Sequence, residues 1–220
     1  MNNKIHQIFN KAQAVNNTKN TLTKVGDKTL NCNAYYDEFM DKFVDKIKSL
    51  NTSKEVEKFL YETSQNNSEF EMINQVLYKH KDFYITDIFS TFGKPVEERL
   101  KTLNDMQLCV APQLLETIEK DNTTFLITRI PGTKNGHLEP IWSNKHTASK
   151  TARLLAYQDM QKLTKAGYVD DGVLRGNWYT TPEGNVVSPE WSRLRKIQPE
   201  ESQQEIMEQY YNCLLRPLDI

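Results

Sequence analysis

Few side chains of this sequence sit at spacings that chemistry uses. In Tyr168-Val169-Asp170-Asp171-Gly172-Val173-Leu174-Arg175-Gly176-Asn177, the carboxylate of Asp171 precedes the amide of Asn177 by six residues, and Glu190 follows Asn177 by thirteen. Carboxylate and amide oxygens suit a hard cation such as Mg²⁺. Far upstream, Lys79 lies in the run Val76-Leu77-Tyr78-Lys79-His80-Lys81, and Glu97 and Glu98 follow Pro95. A lysine on a strand is as readily a solvated side chain as a contact for an anion. Other chemistries lack their residues. His6, His80, His137 and His146 have no metal-ligand spacing, and no Gly-x-Ser-x-Gly or Cys/His pairing points to a hydrolase. Cys32, Cys109 and Cys213 are odd in number, far apart and without a CxxC step, which argues against a disulfide framework and a zinc site.

Composition sets the frame around these residues. A chain of 220 residues is long enough to bury a real core. With 28 Lys+Arg against 29 Asp+Glu, the formal charge of -1 draws it neither to nucleic acid nor to an anionic membrane. The cluster Arg193-Leu194-Arg195-Lys196 then reads as a solvated surface. No stretch reaches the roughly 18 apolar residues a membrane span needs, and no apolar h-region of a cleaved secretory peptide is visible. An aqueous, reducing compartment is expected.

The elements that must position the candidates follow from periodicity. Residues 1–30, rich in Asn, Lys and Thr, read as a loosely ordered polar leader: a mobile tail, or an uncleaved export signal. In 31–57 the apolar residues Tyr35, Tyr36, Phe39, Met40, Phe43, Val44, Ile47 and Leu50 predict a helix, and Thr52 or Ser53 can cap a short one after it. Short runs then predict strands at Lys58–Tyr61, Glu69–Ile73 and Gln75–Lys79, the first two joined as a hairpin across the polar segment Thr63–Ser68. A helix begins at Pro95, and strands are expected over Leu108–Leu115 and Thr124–Ile130. Beyond Pro131-Gly132 come a long helix from about Thr147 to Ala166 with Gly167 at its C-cap, a hairpin on the turn Thr181-Pro182-Glu183-Gly184, and a last helix from about Glu200 to Leu215.

In this setting three segments resemble parts of a protein kinase. Phe125-Leu126-Ile127-Thr128-Arg129-Ile130-Pro131-Gly132 resembles a hinge strand, although an ordinary edge strand ending in a Pro-Gly turn has the same look. Val76–Lys81 resembles the third strand. Tyr168–Asn177 resembles the catalytic loop, in which an Asp precedes a metal-binding Asn by five residues. The resemblance is closest to the minimal kinase-like effectors of bacterial type III secretion. It departs from them in one inserted residue between Asp171 and Asn177, in Val169 standing where the family has His, in Glu190 where it has a metal-binding Asp, and in having no glycine between Gly26 and Gly93 for a phosphate loop.

The resemblance implies an α+β chain with a reduced protein-kinase-like fold. A small antiparallel N-lobe sheet with one helix (58–130) and a truncated helical C-lobe (131–220) would follow the N-terminal helical segment. It implies ATP and Mg²⁺ as cofactors and phosphoryl transfer to a protein hydroxyl. Lys79 would neutralise nucleotide charge, Glu98 would hold Lys79, and Asp171 would orient the acceptor. Asn177 and Glu190 would carry the metal, Ile127 would lie near the gatekeeper position, and the backbone of Thr128 to Ile130 would face adenine. The implied partner is a protein substrate or a host regulatory protein, ubiquitin-conjugating machinery among the candidates, with the protein made in a cytoplasm and delivered into a host cell. Two alternatives stay open on the same residues: a catalytically dead pseudokinase that binds a partner, and an unrelated helical interaction protein with no nucleotide site.

Overall fold

Two helices open the described chain, and each forms where an apolar stripe meets a cap. The computed structural model describes residues 36–143, 147–174, 176–189, 191 and 193–216; the polar leader and Glu190 lie outside them. Helix α1, Glu38–Ser49, buries Met40, Phe43, Val44 and Ile47 on one face. Helix α2, Ser53–Asn66, starts on a capping box in which Thr52 accepts from the Glu55 N–H and Glu55 reaches back to the Thr52 N–H. Val56 and Leu60, one turn apart, are its buried residues. This corrects the expected strand at Lys58–Tyr61 and its hairpin. A four-residue apolar run fits either period, and the cap with the Val56–Leu60 step decides for helix. The polar segment does not turn back: Thr63 Oγ1 donates to the Phe59 carbonyl and Asn66 Nδ2 to the Glu62 carbonyl, continuing the helix.

The sheet that follows has five antiparallel strands in the order β1-β2-β3-β5-β4. Strand β1 is Phe70–Asn74, β2 Leu77–His80, β3 Phe83–Phe89, β4 Gln113–Lys120 and β5 Thr123–Arg129. Strand β3 was not expected, because polar Thr86 and Asp87 interrupt its apolar run; a tight turn with Lys81 at φ 54 leads into it. The expected strand at Leu108–Leu115 shifts to β4, since Leu108, Val110 and Ala111 are spent in the core of the second half. Five strands remain, but Lys79 now lies on the second of them and not the third.

Alternation along the strands separates two faces. Phe70, Tyr78, Ile85 and Ile127 share one face, where Phe70 meets Phe43 of α1 with ring centroids 4.8 Å apart. Lys79, Tyr84 and Thr128 share the other. Helix α3, Ser90–Asp105, packs on this second face at its β5 end. A Cβ on Gly93 would lie 2.5 Å from the Thr124 side chain, so only glycine allows helix and strand to approach this closely.

The second half is mainly helical. Its elements are β6 (Glu139–Pro140), α4 (Lys150–Lys165, capped by Ser149), β7 (Tyr168–Asp170), α5 (Asp171–Leu174), the hairpin β8–β9 (Tyr179–Thr180, Val186–Val187), β10 (Leu194–Lys196) and α6 (Gln203–Leu214). Strand β10 pairs antiparallel with β7. Gly167 follows α4 with φ +80, a conformation in which glycine avoids the Cβ penalty. Ala156, Met160, Leu163, Val169, Trp178 and Tyr210 centre a core to which α4 and α6 both contribute. The described residues from Met40 onward form one compact unit, and among the described residues no helix is long and apolar enough to cross a membrane.

Candidate functional site

Lys79 projects from the middle of β2 between Glu71 of β1 and Tyr84 of β3, its direct register partners. It is 7% exposed. Burial lowers its pKa, while the charges of Glu71 and Asp82 act in the opposite direction. The face it shares is filled by the protein itself. Tyr84, Ile130 and Val187 form a buried cluster there, with Leu77, Leu138 and Tyr179 packed against it. The segment after β5 folds over the same edge, where His137 Nε2 lies 3.4 Å from Glu71. Burial raises the Tyr84 hydroxyl, partly offset by a hydrogen bond with Thr133.

The other nucleotide candidates do not converge on Lys79. Glu98 is exposed on α3 and forms no ion pair with it; the lysine's charged neighbours are Glu71 and Asp82. Ile127 is fully buried on the opposite face, opposite Ile85. Thr128 has β3 on one side and β4 on the other, opposite Tyr84 and Leu114, so its backbone is used within the sheet. The Ile130 N–H donates to the Asp82 carbonyl at 2.9 Å.

In the second half, the two neighbouring aspartates play different parts. Asp170 is fully buried at the end of β7, where Oδ1 accepts from the N–H groups of Gly172 and Val173 and Oδ2 from that of Arg193. Its pKa is raised, burial outweighing these three hydrogen bonds. Asp171, half-buried at the start of α5, is gripped by Arg195 at 2.8 and 3.0 Å. The same guanidinium makes two 2.7 Å bonds to Glu201. Those bonds, with the Gln198 N–H, pull Glu201 down to about 2.

Asn177 and Asp170 both flank Gly172. Around a Cβ position on Gly172, Asp170 Oδ1 lies at 3.1 Å and Asn177 Nδ2 at 3.3 Å. Asp170 has turned both oxygens to backbone N–H groups, and Asp171 is held by Arg195. Among the described residues, no three His, Cys, Asp or Glu side chains cluster as a metal site.

Sequence reasoning missed Arg195, which it read as solvated surface. No spacing could have found its bonds, because the pairing of β10 with β7 brings Arg195 to Asp171 across 24 residues. Lys196 also has a partner, lying 3.6 Å from the centre of the Tyr168 ring. No protein-family model matches this chain, and no curated protein matches it either.

Proposed function

We propose that this protein acts by binding a partner protein, as a non-catalytic module, and not by transferring phosphate. One observation carries the reading. The sheet face around Lys79, which a nucleotide would have to occupy, is packed with the protein's own Tyr84, Ile130, Val187, Leu77, Leu138 and Tyr179. Opening it would expose a buried apolar cluster, at roughly 25 cal/mol for each Å² uncovered. The grip of Arg195 on Asp171 supports the same reading, since a carboxylate held in a two-pronged ion pair is a poor orienter of an incoming hydroxyl.

Phosphoryl transfer is the second reading. It is favoured by the five-stranded antiparallel sheet with a helix between its third and fourth strands, and by the placing of Asp170 and Asn177 on either side of Gly172. Thermal melting of the full chain with ATP, with and without Mg²⁺, separates the two. A ligand at about a hundred times its dissociation constant stabilises a one-site protein by roughly 2.7 kcal/mol, a shift of several degrees. The expected result is no shift at millimolar ATP. A Mg²⁺-dependent shift that disappears in Lys79→Ala and Asn177→Ala would overturn the binding-module reading in favour of the enzyme.

A further inference from the structure

We propose that the groove between α3 and the outer edge of β4 receives an extended, lysine-bearing segment of the partner protein, which adds to the sheet alongside β4. This rests on the partner-binding reading above and gives it a place and a chemistry. Strand β4 lies at the end of the sheet, with β5 on one side and, among the described residues, no strand on the other. An open groove of about 450 Å³ lies between it and α3, lined by Glu97, Lys101, Asn104 and Asp105 of the helix and residues 114–117 of the strand. A space of this size holds a few side chains of an extended peptide.

The backbone at one end of the groove already behaves as a strand edge. Asn104 Nδ2 donates to the Pro112 carbonyl at 2.8 Å, and Asn104 Oδ1 accepts from the Leu114 N–H at 2.7 Å. A carbonyl and an N–H two residues apart are the pair that a neighbouring strand engages, so one amide side chain takes a strand's place and closes that end. Just beyond, the register shift between Leu114 and Glu116 interrupts the regular ladder. Half-buried Leu114 and Leu115 give the groove apolar surface.

Charge selects the occupant. The lining carries three carboxylates, Glu97, Asp105 and Glu116, against the single ammonium of Lys101. Glu97 pairs with Lys101, and Glu116 with Lys48 at 2.6 Å. Asp105, exposed at the groove wall, leaves the excess negative and favours a strand that alternates lysine with apolar residues. The opposite edge, β1, exposes Met72 and Ile73, but no comparable charge indicates what would cover it.

The test titrates the full chain with a fluorescein-labelled octapeptide of alternating lysine and valine, and with a glutamate–valine octapeptide of equal length. The lysine peptide is expected to bind, to shift the backbone amides of residues 97–105 and 114–119, and to lose affinity about tenfold in Asp105→Lys and Glu97→Lys. The glutamate peptide is expected not to bind. Glu97→Lys breaks the pair with Lys101, so if its melting curve shows unfolding, the exposed Asp105→Lys decides. No binding at millimolar peptide, equal binding of both peptides, undiminished binding by Asp105→Lys, or shifts centred elsewhere would overturn the proposal. Failure of the peptide with ATP still silent removes the groove alone, whereas an ATP shift removes the reading beneath it.

Discussion

Lys79 and Asp87 in the sheet and Asp170 and Asp171 in the mainly helical half treat their charge differently. Around Asp170 and Asp171 each carboxylate meets donors at short distance: three backbone N–H groups for the first and a forked guanidinium for the second. Lys79 and Asp87 in the sheet have mainly lost water. Burial is the first cause of both shifts, lowering the lysine and raising the aspartate to about 6; it also raises Asp170, but there three backbone N–H groups act against it. A charge that has exchanged water for hydrogen bonds holds its surroundings together, whereas one that has only been desolvated costs stability. Deleting the charge should therefore harm the protein at Asp170 and relieve it at Lys79 and Asp87.

The largest effect is expected at Asp170. Asp170→Ala strands three buried backbone donors and should destabilise the protein by about 3 kcal/mol in urea unfolding. A loss below about 1 kcal/mol would show that the loop does not depend on this acceptor. Next, Lys79→Met keeps the length of the side chain but removes a desolvated charge, and should raise stability by about 1 kcal/mol. A destabilised variant would mean that Glu71 and Asp82 do more for the lysine than burial does against it.

The smallest and most specific effect is in pH. Asp87 has a folded pKa above its ordinary value, because of burial and then the charge of Glu57, with Tyr78 as its second titratable neighbour. The folded state thus holds this proton more tightly than the unfolded state does. Its penalty is absent below about pH 4, grows as pH rises through the interval to about 6, and is constant above it. Asp87→Asn should flatten the melting temperature across that interval and raise it at neutral pH. An unchanged slope would place the pH dependence elsewhere.

Much of the architecture was legible because single-period signals were long enough to be unambiguous. The stripe of α1, the apolar strand β5, the helix α4 ending before Gly167 and the turn at Thr181–Gly184 all lie close to where periodicity and turn residues put them. Lys58–Tyr61 reads as strand because four residues cannot distinguish the periods of strand and helix, and a cap at Thr52 or Ser53 says where a helix starts but not how long it runs. That difference moves Lys79 from the third strand to the second. The candidate site was less legible for a deeper reason: whether a carboxylate is available depends on what the tertiary structure places beside it. Asp170 and Asp171 are adjacent and chemically identical; local N–H groups of Gly172 and Val173 take one, and the return of β10 beside β7 adds the Arg193 N–H to it and gives the other to Arg195.

The β4–β5 turn reaches back to the junction of α1 and α2, where the Ser53 N–H donates to Asp121 and Lys120 Nζ donates to the Lys48 carbonyl, contacts spanning 68 and 72 residues. During synthesis the two helices therefore emerge well before the turn that brackets them and before the sheet face that covers Phe43 and Leu60. At roughly 5–20 residues per second, that apolar surface waits several seconds on the ribosome for its cover. For this chain the interval of greatest exposure to chaperones and to aggregation falls before the last strand of the sheet has been translated.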